Sequence, residues 1–315
     1  MSTLASAPRQ PRRAAPGDRR RRPVRDAVAV AVGRRRAARR RLAPPVNALA
    51  PPVKNRGAAA RYAASMSVAH NLSILPRSDG LELVLFAGRD IRRVSQEFVV
   101  ADLAQGMDGY DPETYFKHSS LAAFDHLLLA RDGAGRCRAL LGTKEGTCCG
   151  APFLFLVTGF VVNEEQGKGL MRRMIARTLL SLARRGFHPG VLAARTYNPV
   201  WYRMLEGLGA VLPGSVFYPR PSGSEQDPEL ARLAADVVAC TNPGAQFDAQ
   251  LGVLRDGLAR TPTLFRGRRP RSGDGAVDGL FHDELGAIDL VLTLLDIRRV
   301  SADIRRAALT AVQSR

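Results

Sequence analysis

Residues 153–173, FLFLVTGFVVNEEQGKGLMRR, hold the residue types and spacing best suited to chemistry. An apolar run long enough for a buried strand stops at Asn163 and passes Glu164 and Glu165. It then reaches Gln166-Gly167-Lys168-Gly169, where a helical pattern begins. A glycine-bearing turn between a strand and a helix N-terminus can hold phosphate, because its N–H groups point outward unpaired and the helix dipole favours an anion. Glycine at 167 and 169 keeps side chains out of the way of a close approach. The helix end is worth about 0.3–1 kcal/mol per interaction, and up to ~2 kcal/mol when partly buried. Lys168, Arg172 and Arg173 add positive charge nearby. A nucleotide-like ligand is the expectation.

The surrounding elements must place that turn. Residues 81–88 read as a first strand, and residues 90–105 show a helix-like apolar spacing. Two apolar runs, 124–131 and 138–142, flank Asp132-Gly133-Ala134-Gly135, the signature of a hairpin turn. The strand over 153–162 is followed by a helix over 169–185, with its apolar positions on one face and Gly186 where a stop is expected. Residues 191–195 form a short strand. Asn198 and Pro199 then open another helix as N-cap and N1, with Trp201, Met204, Leu205 and Leu208 as its inward stripe. Beyond Pro213, helices are expected from Asp227-Pro228 through Cys240, over 276–285 and over 301–312, with another over 247–258. Residues 290–295 are apolar but too short to divide between strand and helix. Antiparallel strands, one strand–helix–strand unit and a mostly helical extension make an α+β protein.

The net charge of +18 suggests a nucleic-acid binder, but 17 of the 47 basic residues and only 2 of the 29 acidic ones lie in residues 1–65. The other 250 residues are almost neutral, so nucleic acid is not expected as a partner of the folded part. The tail is Arg, Ala and Pro with RRRR at 19–22, and such a segment cannot bury enough surface to offset its ordering entropy. Three readings of it stand: a polyanion-binding arm, a targeting segment, or an overextended start ahead of Met66. The four cysteines form no CxxC pair and the five histidines no HExxH, so a reducing cytoplasm without a structural metal is expected. No apolar stretch in the tail is long enough to cross a membrane.

The motif and its context resemble the GNAT-type N-acetyltransferases. Their acyl-CoA motif is Gln or Arg, two residues, Gly, one residue, then Gly or Ala. Here Gln166 and Gly169 fit, while Met171 stands in the last position. Downstream, Asn198, Glu206 and Gly209 fall in the family's register. Leu205 occupies the usual tyrosine position and Ala210 the usual phenylalanine. The resemblance covers residues 80–215. It implies a mixed, mainly antiparallel sheet with a splayed βαβ acyl-CoA site, and acetyl-CoA as co-substrate. It also implies that Gln166, Gly167, Lys168, Gly169, Leu170 and Met171 receive the pyrophosphate. Backbone groups near Phe160 and Val161 would pair with the pantetheine amides, and Asn198 would add a contact. The organisation expected is a disordered tail over 1–65, a GNAT-like domain over 66–220 and a mostly helical extension over 221–315.

In that family the neutral amine attacks the thioester directly. A lysine-like amine is neutral about once in 2,500 at pH 7, a cost of roughly 4.6 kcal/mol, and a positioned base recovers about 10²–10⁴-fold. The strand over 153–162 carries no carboxylate, and no base can be named. A thiolate with a pKa near 8.5 leaves tolerably well without a donor. Leu205 should therefore weaken catalysis more than abolish it, with Tyr202, or else Tyr197, as the candidate proton donor. Two functions are weighed: an acyl-CoA-dependent N-acyltransferase acting on a small-molecule or peptide amine, or a non-catalytic protein of this fold that binds CoA or a partner. A homodimer is compatible with either.

Overall fold

Runs of Leu, Val and Phe such as ELVLFA, HLLLAR and APFLFLVTGFV suit a half-buried pleated surface, and they build one nine-stranded sheet. The computed structural model describes residues 80–148, 150–221, 224–258 and 265–314. The arginine-rich tail, with the disorder expected of it, and Met66 lie outside the described residues. The strands are β1 (Glu82–Ala87), β2 (His126–Arg131), β3 (Cys137–Cys148), β4 (Ala151–Val161), β5 (Val191–Thr196), β6 (Val216–Tyr218), β7 (Phe247–Asp248), β8 (Val253–Leu254) and β9 (Leu290–Asp296). The order across the sheet is β1-β2-β3-β4-β5-β9-β8-β7, with β6 pairing β9 beside β8. Every neighbouring pair is antiparallel except β4 and β5. The expected mixed, mainly antiparallel α+β arrangement is the one observed.

The helices are α1 (Gln96–Gly106), α2 (Pro112–His118), α3 (Leu170–Arg184), α4 (Pro199–Ala210), α5 (Pro228–Thr241), α6 (Gly275–Gly279) and α7 (Ala302–Gln313). Helix α3 makes the crossover that parallel β4 and β5 require. Its end is a glycine stop: Gly186 has φ +82°, and the Phe187 N–H donates to the Leu182 carbonyl at 3.1 Å. Leu170, Ile175 and Leu179 of α3 pack with Leu205 of α4 and Leu309 of α7 on one face of the sheet, against Leu154 and Leu156. On the other face, Val99 and Leu103 of α1 and Phe116 of α2 cover Leu127 and Phe160. Leu230 and Val237 of α5 cover Phe155, Ala193 and Leu292 on that same side.

Two stretches differ from expectation, and a third, left open, is decided. The helix expected over 90–105 is a 3₁₀ turn, Gly88–Arg93, followed by α1, because the extended backbone at Val94 and Ser95 lets Ile91 and Val94 both reach the core. Residues 247–258, expected as a helix, make β7 and β8. The Asp248 carboxylate accepts the Gln250 and Leu251 N–H groups, and Gly252 turns at φ +68°, which closes the chain into a hairpin. Residues 290–295, open between strand and helix, belong to β9. This strand is buried along its whole length between β5 and β6/β8, which is why no alternation is visible in it. The region after residue 220 therefore contributes three strands to the same sheet as well as its helices. Among the described residues no helix is long and apolar enough to cross a membrane.

Candidate functional site

Strands β4 and β5 pair from Phe153↔Val191 to Leu156↔Ala194 and then part. Both continue: β4 stays paired with β3 as far as Val161, and β5 stays paired with β9 as far as Thr196. Val157 is an extra residue on β4, since Leu156 faces Thr143 while Thr158 faces the adjacent Gly142. A bulge of this kind bends the strand and increases its local twist, which turns β4 away from β5. The expected splay is present, and it begins at the bulge.

Beyond the splay the chain enters the turn. Gly167 and Gly169 adopt φ +75° and +73°, and a Cβ added at either would meet no heavy atom within 4 Å. The turn therefore has open space where an anion would approach. Gly169 is the N-cap of α3, and its carbonyl accepts the Arg173 N–H at 3.2 Å. The N–H groups of the first helical turn before Arg173 are thus left without an intrahelical acceptor. Gln166 closes the turn from behind, with Nε2 donating to the Val161 carbonyl at 2.9 Å and to Asn163 Oδ1 at 3.1 Å. That bond engages the Val161 carbonyl. Lys168 is exposed and lies 3.4 Å from Glu165. Arg172 is exposed beside Gly207, whereas Arg173 is buried. Leu170 and Met171 are buried in the core under α3. The Met171 side chain runs inward, with Cε 2.9 Å from where a Cβ on Gly159 would stand, so it does not cover the turn.

The parted strands open a cavity of about 600 Å³. Residues 157–160 of β4 form one wall; Arg195, Thr196, Tyr197 and Asn198 form another. Tyr110, Tyr115 and His118 close it from α2 and the loop before it, and Asn242 and Asp256 close it from beyond α5 and β8. Trp201 lies over Gly159 at the cavity edge. Asn198 caps α4, its Oδ1 accepting the Val200 N–H at 2.9 Å, and its Nδ2 donates to the Tyr110 hydroxyl. Burial, and secondarily the nearby Tyr197, pushes the Tyr110 phenol far above its usual value, so it stays protonated. Tyr110 and Tyr197 both pack edge-on against Phe265.

The predicted site residues divide between these places. Phe160 and Asn198 line the cavity, and Gln166, Gly167, Lys168 and Gly169 form the turn. Tyr202 reaches neither. It is fully buried, packs against Phe217 and Phe281, and donates its hydroxyl to the Pro219 carbonyl. One helical turn from the family's tyrosine position still points to a different side of α4, toward α6. Leu205 is buried in the core shared with α3. Tyr197, the other hydroxyl considered, does line the cavity.

Several cavity residues carried little sequence signal. Tyr110 and Asp256 sit in irregular backbone, and Asn242 is brought in by the end of α5. Arg195 did carry a sign, being a charge inside the strand VLAART. Among the cysteines, Cys137 is buried with its thiol pushed up to about 12 by desolvation, while the Cys148 and Cys240 thiols, not joined in a disulfide, lie 3.6 Å apart. Among the described residues no cluster of three or more metal-ligating side chains occurs.

No family model and no curated protein matches the chain. Several solved structures do. One is a nourseothricin acetyltransferase, at 15% identity and TM-score 0.24, covering 30% of this chain and 51% of that one. The chain thus spans about half the length of that protein. A second is a putative acetyltransferase of the GNAT family from Desulfovibrio desulfuricans, at 16% identity and TM-score 0.30, covering 40% and 82%. A third is a GNAT family N-acetyltransferase from Escherichia coli solved in complex with CoA, at 14% identity and TM-score 0.30, covering 43% and 71%.

Proposed function

We propose that this protein is an acyl-CoA-dependent N-acyltransferase, moving an acetyl group from acetyl-CoA to an amine. One observation carries the reading: the only parallel pair among the described strands parts at Leu156 and Ala194, beside a turn whose two left-handed glycines open the N-terminus of α3. A cavity between two parted strands, and a glycine turn that follows one of them at a helix N-terminus, suit a ligand with an extended arm and a phosphate end.

Acetyl-CoA, when bound, supplies a thioester carbonyl as the acyl source. Gly167, Lys168, Gly169, Leu170 and Met171 would offer backbone N–H groups and one ammonium to the pyrophosphate, with Gln166, whose own N–H donates to the Asn163 carbonyl, bracing the turn. Phe160, Val161 and Asn198 would border the pantetheine arm. The amine must lose a proton, and His118 and Asp256 are the cavity-lining groups chemically able to accept one. Tyr110 and Tyr197 carry the hydroxyls that can donate to the leaving sulfur. Tyr110 accepts its bond from Asn198, which leaves its own proton free.

A second reading, a protein that binds CoA without turnover, is favoured by the inward Leu205 and the buried Tyr202. Thermal unfolding with and without acetyl-CoA tests the shared element, since ligand at 100 times Kd adds about 2.7 kcal/mol. No shift at millimolar acetyl-CoA would remove both readings. Release of free CoA with an amine panel, read with a thiol reagent, separates the enzyme from the binder.

A further inference from the structure

Resting on the acyltransferase reading, we infer that the acceptor is an amine that also carries a carboxylate, and that Arg195 holds that carboxylate.

Arg195 is the first residue of β5 past the last pair with β4, and it lines the cavity. It is partly buried. Its guanidinium lies 5.3 Å from the centroid of the Phe155 ring, and Nη1 donates to Asn242 Oδ1 at 3.2 Å. No carboxylate among the described residues pairs with it. Burial acts on it unopposed by any acid, Tyr115 being the only other contributor, and depresses its pKa below the usual guanidinium value. A guanidinium has five N–H donors, and one is used here. Even a partly buried cation is costly without a counter-ion, and an incoming anion relieves that cost.

The position of Arg195 assigns it to the second substrate. Phe155 and Arg195 face α5, whereas the glycine turn belongs to α3 on the opposite face of the sheet. A phosphate on the turn therefore leaves Arg195 unused. The fork of a guanidinium matches the two oxygens of a carboxylate. Asn242, with its Oδ1 engaged by Arg195, keeps its amide N–H₂ for the same group. A dianionic phosphate would call for a second cation beside Arg195, and the only other basic residue of the described cavity wall, His118, is exposed.

The test uses the full chain and matched amines. Glycine, methionine, phenylalanine and glutamate are each compared with their carboxamides for CoA release, and O-phosphoethanolamine is compared with ethanolamine. The expected result is a kcat/KM at least about tenfold higher for the carboxylate member, falling to below about threefold in Arg195→Gln. Arg195→Lys should keep part of the preference. In both variants the thermal shift with acetyl-CoA should match wild type, which also shows that they fold. A parallel binding readout needs no turnover: the amino acids at millimolar concentration raise the Tm of wild type, their amides do not, and Arg195→Gln abolishes the rise. Equal use of amides and acids, absence of the Tm rise, or a preference that survives Arg195→Gln would each overturn the inference. So would the phosphorylated amine outperforming the acids. Absence of an acetyl-CoA shift would instead strike the acyltransferase reading, with the carboxylate site still measured by Tm.

Discussion

Leu156 of β4 and Ala194 of β5 are the last residues to face each other across the parallel pair, and the residues that follow them, Val157 and Arg195, line the cavity. The two strands hold together for four residue pairs and are then held apart by their outer partners, β3 and β9. Their edge N–H and C=O groups beyond that point are not committed to each other.

Gly169→Ala should cost about 1–2 kcal/mol of stability, because a Cβ is disfavoured at φ +73° although nothing stands near it. If the turn receives pyrophosphate, the same variant weakens acetyl-CoA binding. Chemical unfolding and titration calorimetry read the two effects. A variant as stable as wild type would show that the turn does not hold this conformation.

Gly159→Ala should also destabilise, by about 1–3 kcal/mol, for a different reason. Its Cβ would stand 2.4 Å from Trp201 Cζ3 and 2.9 Å from Met171 Cε, and two bulky side chains must move. Alanine is otherwise the better strand residue. An increase in Tm would mean that Trp201 does not lie over this strand.

Tyr202→Phe should lose about 1–3 kcal/mol, since the buried Pro219 carbonyl loses its donor. Its effect on CoA release should be negligible once unfolding is accounted for, because the hydroxyl does not reach the cavity. A large fall in kcat at unchanged stability would restore Tyr202 as a proton donor.

Asp289 sets an acid limit on stability. Burial by itself would raise its pKa. The Asp256 N–H at 3.0 Å, the Arg255 guanidinium at 2.8 Å and the Gly286 N–H at 3.0 Å together outweigh that and hold it below the usual carboxylate value. A depressed folded pKa stabilises at pH above the unfolded value, about 3.9, and the stabilisation fades as pH falls through the folded value. Asp289→Asn should therefore be about 1–2 kcal/mol less stable at pH 7, with the gap to wild type narrowing below about pH 4. Denaturant midpoints at pH 7, 5 and 3 check the sign.

What the sequence by itself determined is local. Gly167 and Gly169 between a strand and a helix, Asn198-Pro199 at a helix start and Gly186 at a helix end each specify the backbone within a few residues, and each is found as expected. The geometry of the glycine turn was legible for that reason, and so was the mainly antiparallel sheet that runs into it.

What only the tertiary structure decided rests on contacts far apart in the chain. β9 pairs with β5 roughly a hundred residues away, and a strand buried on both faces leaves no periodic trace. In one dimension Tyr202 is the first candidate hydroxyl and Tyr197 the second. Packing against Phe217, Phe281 and Pro219 buries the first, and the parting of β4 and β5 exposes the second to the cavity. Arg195 was visible as a charge in an apolar strand, but its setting beside Phe155 and Asn242 exists only once α5 is docked on the sheet. Side-chain direction at such positions is set by what the whole fold brings against them, and local spacing does not encode that.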